Sequence, residues 1–85
     1  MKRVEGKVAI VTGGSNGIGK STCEILAKEG AKVAITDVKD NDGKYVAQKI
    51  QADGGTAKYW HLDVSQEFEV ETVFQQVKEK WGKID

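Results

Sequence analysis

The sequence predicts an α/β fold in the order βαβαβα, built on a three-stranded parallel sheet. Three observations carry this. Short β-branched runs end in glycine or aspartate, as strands of a buried parallel sheet do. Between them, apolar residues recur at helical spacing. Glycines then stand where each helix would stop.

The first strand is read at residues 7–11 (KVAIV), a run suited to burial on both faces. From Gly17 to Glu29 the period changes: Ile18, Thr22, Ile25 and Leu26 share one helical face, and Gly30 ends the helix. Residues 32–36 form a second strand that closes on Asp37. After the polar turn DVKDNDGK, Asp42 is expected to N-cap a helix carrying Tyr45, Val46 and Ile50. ADGG, from Ala52 to Gly55, stops it. Residues 56–62 read as a third strand, followed by Asp63, Val64 and Ser65. Ser65 is the expected N-cap of the last helix, where Val70, Val73, Phe74, Val77 and Trp81 form one apolar stripe and Gly82 ends it. Right-handed crossovers put the first two helices on one face of the sheet. The third lies on the other face only if the next strand returns to the far side of the first.

Composition sets bounds. The chain has 85 residues, so all of it (1–85) is read as one small domain. Lys+Arg and Asp+Glu are equal at 13 each, which offers neither nucleic acid nor membrane a basic surface. The N-terminal stretch to Gly6 is charged, and the apolar run after it is too short for a signal peptide or a membrane span. The one cysteine, Cys23, permits no internal disulfide and is expected to be a packed thiol in a reducing compartment, the cytoplasm.

The stretch VAIVTGGSNGIGKST, from Val8 to Thr22, carries the chemistry and satisfies two patterns. From Gly14 it spells the P-loop G-x-x-x-x-G-K-S, with Lys20 for β/γ-phosphates, Ser21 for magnesium and Asp37 as a metal-holding acid. From Gly13 it spells G-x-x-x-G-x-G, a dinucleotide-binding pattern. Either way a strand turns into a helix whose N-terminal amides face phosphate. The dinucleotide pattern also asks for an acid about 20 residues beyond its glycines. Asp37 lies 18 residues after Gly19. Asp63 sits in the equivalent place after the third strand, and the P-loop reading leaves it unexplained.

TGGSNGIG, from Thr12 to Gly19, resembles the TGxxxGIG signature of the short-chain dehydrogenase/reductase family. The spacing to Asp37 and the LDV of Leu62 to Val64 extend the likeness, and element order carries it along the whole chain. The resemblance implies a Rossmann-type half and a nicotinamide dinucleotide as ligand. It implies that Gly13, Gly17, Ile18 and Gly19 line the pyrophosphate, with Ser15 and Asn16 beside the adenosine ribose and phosphate. Asp37 would accept from the ribose hydroxyls, with Val38 beside the adenine. Asp63 would accept from the adenine amino group, and Val64 would offer its backbone. An acid at Asp37 favours NAD over NADP, because it repels a 2′-phosphate. NADP-preferring relatives usually carry a basic residue where Asn16 or Val38 stands here; Lys39 is one position further on.

The family's catalytic Tyr-x-x-x-Lys pair, its serine and its NNAG segment have no counterpart in place, so no catalytic residue and no metal ligand are assigned. Tyr45 and Lys49 match Y-x-x-x-K as text, but on the helix after the second strand. His61, the single histidine, is given a structural or partly exposed role, and Tyr59, Trp60 and Trp81 are read as packing. The chain stops at GKID, where a fourth strand would begin. It is therefore expected to be truncated and not catalytically competent alone. The third helix then has little to cover, and the open edge of the first strand favours self-association. Two alternatives stand beside this reading: a non-catalytic nucleotide-binding or interaction module, and a small P-loop NTPase.

Overall fold

A computed structural model describes residues 5–85; residues 1–4 of the charged N-terminal stretch lie outside the described residues. Six elements follow the predicted order: β1 (Val8–Thr12), α1 (Gly17–Lys28), β2 (Lys32–Asp37), α2 (Asp40–Ala52), β3 (Thr56–His61) and α3 (Glu67–Trp81). All strands are parallel, in the order β1-β2-β3. Register aligns Thr12 with Thr36, Thr36 with Trp60, and Asp37 with His61. The carboxyl ends of the strands therefore form one level edge.

Central β2 explains the two-layer packing. Its residues Val33 to Thr36 are all buried, and successive side chains point to opposite faces. Val33 and Ile35 join Cys23 of α1 and Val46, Ala47 and Ile50 of α2. Ala34 joins Val8 and Leu62 under Val73 and Val77 of α3. α3 therefore lies on the opposite face from α1 and α2, and after it the chain returns to the outer edge of β1, where Asp85 meets Val8. The expectation that α3 has little to cover is corrected here. It closes a second cluster with Ile10, Val70, Trp60 and Trp81 at its margin. Trp60 and Trp81 meet edge to face, 5.8 Å apart, which is the packing role expected of them.

Five local expectations are corrected. On α3, Phe74 lies outside the predicted stripe, 43% exposed. On α1, Ile18 and Ile25 face solvent, 87% and 61% exposed. The buried residue is Cys23, with Leu26 and Ala27 beside it. The stripe is turned because Gly19, Cys23 and Ala27 are small and let the helix close on the sheet. On α2, Tyr45 is exposed, and Ala47 takes its place in the core. Asp42 is not an N-cap: α2 begins at Asp40, capped by Lys39 without a side-chain bond. Ser65 does not cap α3 either. Gln66 holds that position, while the Ser65 hydroxyl donates to Asp63 Oδ1 at 2.7 Å. In both cases a competing contact decides where the helix starts. Glycines 30, 54 and 82 follow the helices as expected.

Cys23 is fully buried, and burial pushes its thiol up to about 12, so it is a packed and unreactive group. β1 has one strand partner among the described residues. On its other edge, Val8 N donates to Asp85 Oδ2 and Asp85 N donates to the Val8 carbonyl, both at 2.8 Å. No helix among the described residues is long and apolar enough to cross a membrane.

Candidate dinucleotide site at the carboxyl edge

The turn from β1 into α1 depends on two glycine properties. Gly13 has φ +64°, a conformation that costs an L-residue, and nothing lies within 4 Å of where its Cβ would be. Gly19 is the opposite case: a Cβ there would drive into the Gly13 carbonyl. The first turn of α1 is thereby laid directly on the loop. Gly14 N ties that loop to β2 by donating to the Thr36 carbonyl at 3.1 Å.

The N-terminus of α1 is electrostatically open. Its N-cap, Asn16, is extended and makes no side-chain cap bond, and no acid stands in the first turn. In α2 and α3 that turn carries Asp40 and Asp42, or Glu67 and Glu69. The amides of Gly17, Ile18 and Gly19 are thus left with the positive end of the helix for an anion. Lys20 and Ser21 lie on α1 itself, and Lys20 N donates to the Asn16 carbonyl at 3.2 Å as part of the helix.

Asp37 ends β2 beside this turn. Its Oδ2 accepts from Ser15 Oγ at 2.6 Å and Ser15 N at 3.2 Å. Its Oδ1 accepts from the amides of Val38 at 2.7 Å and Lys39 at 3.2 Å. Burial pushes the Asp37 carboxyl up, but the bonds from Ser15, Lys39 and Val38 outweigh it and hold it below its usual range. Asp63, after β3, accepts from the hydroxyl and amide of Ser65, which lower its carboxyl likewise.

Thr12, Gly13, Asp37, Val38, Leu62, Asp63 and Val64 line one open cleft of about 270 Å³. The fold thus gathers Gly13, both acids and both exposed valines into a single recess. Ser15 joins through Asp37. Asn16, Gly17, Ile18 and Gly19 form the adjoining helix start. The volume is just below the ~300–1,000 Å³ of small-molecule pockets. It suits one end of a dinucleotide, with the open amides of α1 next to it. A larger recess of about 360 Å³ lies near the amino ends of the strands, between α1 and α2. Its charges are partly spent on each other, Lys49 pairing with Glu24 at 3.4 Å.

Sequence reading missed what braces the cleft. The Tyr59 hydroxyl of β3 lies 2.6 Å from both the Asp37 carbonyl and Asp40 Oδ1, and its single proton is shared between these two acceptors. Its ring lies on Gly43 of α2, where any Cβ would strike it. His61 Nδ1 bonds the same Asp40 oxygen at 2.7 Å, which raises the imidazole's affinity for its proton. His61 is half-exposed, which agrees with the partly exposed position expected of it. The signal for this brace was the alternation of β3, which puts Tyr59 and His61 on one face.

The model of the short chain dehydrogenase family matches residues 7–85. Tropinone reductase-like 2 of Erythroxylum coca is 48% identical over 84 residues, 99% of this chain and 30% of its own length. An uncharacterized oxidoreductase of Bacillus subtilis (strain 168) is 41% identical over 85 residues, 100% of this chain and 31% of its own. A crystal structure of hydroxysteroid dehydrogenase from Escherichia coli superposes with a TM-score of 0.95 at 35% identity, covering 98% of this chain and 35% of that one. The chain spans about 30% of the length of the curated relatives it matches. These matches leave the P-loop and interaction-module readings without support.

Proposed function

The chain belongs to the short chain dehydrogenase family, and from that premise we propose that residues 1–85 bind NAD(H) for an oxidoreductase that interconverts an alcohol and a carbonyl. The support is the meeting, at one sheet edge, of the uncapped α1 amides and the Asp37 carboxylate. The amides of Gly13, Gly17, Ile18 and Gly19 receive the pyrophosphate, near Ser15 and Asn16. Asp37 accepts from the ribose hydroxyls, Val38 and Val64 flank the adenine, and Asp63 accepts from its amino group. When bound, the nicotinamide supplies hydride transfer. The residues described here bind and orient; none of them moves the substrate's proton. NAD is preferred to NADP because Asp37 opposes a 2′-phosphate and the places of the usual basic residues hold Asn16 and Val38. The packed Cys23 thiol suits the cytoplasm.

Calorimetric titration tests this. NADH is expected to bind with and without magnesium, and Lys20→Ala is expected to change affinity less than about twofold, as a substitution outside the proposed contacts does. Magnesium-dependent ATP binding that Lys20→Ala abolishes would reverse the assignment.

The 85-residue chain also associates with itself through the outer edge of β1 in this proposal. Val8, Ile10 and Thr12 present backbone groups there, and Asp85 meets only those of Val8. Sedimentation velocity is expected to show dimers or larger species at micromolar concentration. A monomer at every concentration would refute it.

A further inference from the structure

The Asp37 carboxylate has no acceptor site to spare. Ionised, it offers about four lone-pair sites. Ser15 Oγ and N fill those of Oδ2, and the amides of Val38 and Lys39 fill those of Oδ1. Two of the four donors come from one residue, and it is the one nearest the glycine turn. Ser15 is only 5% exposed, and its hydroxyl has no other hydrogen bond among the described residues. Without Ser15, only the adjacent amides of Val38 and Lys39 hold Oδ1, and Oδ2 is free to turn toward water.

We propose that Ser15 is a specificity-determining positioning residue, whose amide and hydroxyl hold the Asp37 carboxylate against the glycine turn so that it discriminates NAD(H) from NADP(H). This rests on the reading of Asp37 as the ribose-facing acid and adds a second residue to it.

Two physical steps connect the contact to the selectivity. Repulsion between two charges halves when their distance doubles. An unrestrained carboxylate can therefore relieve most of its conflict with a 2′-phosphate by turning to solvent, where water and salt screen it. Held from four sides, it cannot retreat without breaking charge-assisted bonds. The second step is exchange. A ribose hydroxyl is a donor, so it can take the place of the long bond from the exposed Lys39 amide on Oδ1, which water then satisfies, while the Ser15 hydroxyl and amide keep the carboxylate in place. A phosphate dianion brings no proton and cannot make that exchange. The carboxylate thus yields an acceptor site to NAD(H) and stands against NADP(H). The Ser15 hydroxyl does not yield, because it is buried and has no other acceptor among the described residues.

The test is the ratio of NADPH to NADH dissociation constants, by calorimetry on the 85-residue chain. Wild type, Ser15→Ala and Ser15→Cys are compared, alone and with Asp37→Asn. Cysteine keeps the shape of serine with a somewhat larger atom and is a weak donor, so it replaces the strong hydroxyl bond without leaving a cavity. We expect wild type to favour NADH by at least about tenfold, since loss of one charge-assisted bond is worth that much. Ser15→Ala and Ser15→Cys should each narrow the ratio about fivefold, and neither should change it further beside Asp37→Asn. A purely structural role would weaken both ligands together and leave the ratio alone. Ser15→Ala with the wild-type ratio and an intact circular dichroism spectrum would overturn the proposal. Should Ser15→Ala unfold, Ser15→Cys decides by the same criterion. Wild type that binds neither dinucleotide, or prefers NADPH, would instead defeat the reading of Asp37, and the role of Ser15 with it.

Discussion

Asp37→Ala is expected to weaken NADH binding by about 10- to 100-fold, while NADPH affinity holds or rises. The first figure follows from the chemistry of the ligand. Hydrogen bonds to a charged acceptor contribute about 1.5–3 kcal/mol each, and 1.4 kcal/mol is a factor of ten. The opposite sign for NADPH follows from Coulomb's law. Two unit charges 4 Å apart at a partly exposed site repel by about 4 kcal/mol at an effective dielectric of 20, and alanine removes that opposition. A small loss of stability accompanies the change. Val38 and Lys39 are exposed, so water replaces Asp37 at their amides; Ser15 is buried and its hydroxyl is left without a partner. That orphan costs about 1–3 kcal/mol. Fluorescence titration of both reduced dinucleotides separates the effects. NADH affinity within twofold of wild type in a folded Asp37→Ala protein would contradict the assignment.

Gly19→Ala is expected to be the most destabilising single methyl in the chain, at about 3 kcal/mol or more. The added carbon would enter the space of the Gly13 carbonyl and press on the Gly14 backbone, neither of which is a side chain that can turn away. Overpacking costs about 1–3 kcal/mol where side chains can adjust, so a backbone clash belongs at or beyond the upper end. A domain has about 0.05–0.15 kcal/mol of stability per residue. For a chain of 85 residues the substitution removes a large share of it. Gly13→Ala provides the control. Its methyl would stand in open space, but at φ +64° it meets the left-handed penalty of about 1–2 kcal/mol. Urea denaturation followed by circular dichroism measures both. The explanation fails if Gly19→Ala costs less than Gly13→Ala. NADH binding should fall in Gly19→Ala as well, because the amides of α1 ride on the same contact.

Much of this architecture was legible from local pattern. The β-branched runs, the helical stripes and the glycines between them place all six elements, and they do so because strand and helix periods are written in neighbouring residues. The glycine turn and the two acids were legible for the same reason, since turn chemistry and spacing are local properties. Where the reading missed, a contact outside the helical pattern had changed the local balance. Ile18 and Ile25 looked like core, but Gly19, Cys23 and Ala27 allow α1 to approach the sheet along the smaller face. Asp42 and Ser65 looked like caps. Instead α2 starts at Asp40, whose carboxylate is held by Tyr59 and His61 across the gap to β3, and the Ser65 hydroxyl is held by Asp63.

By itself, then, the sequence determined the order of the elements, the turn into α1 and the presence of acids after β2 and β3. Only the tertiary structure decided which face of α1 is buried, that α3 closes a second core against Val8 and Ala34, and that Ser15 occupies the Asp37 carboxylate. Those outcomes join residues far apart in the chain, 22 positions in the case of Ser15 and Asp37. No periodicity or turn preference reports such a pairing. It arises when parallel strands in register bring the ends of β1 and β2 to one edge and leave a buried hydroxyl one acceptor to find.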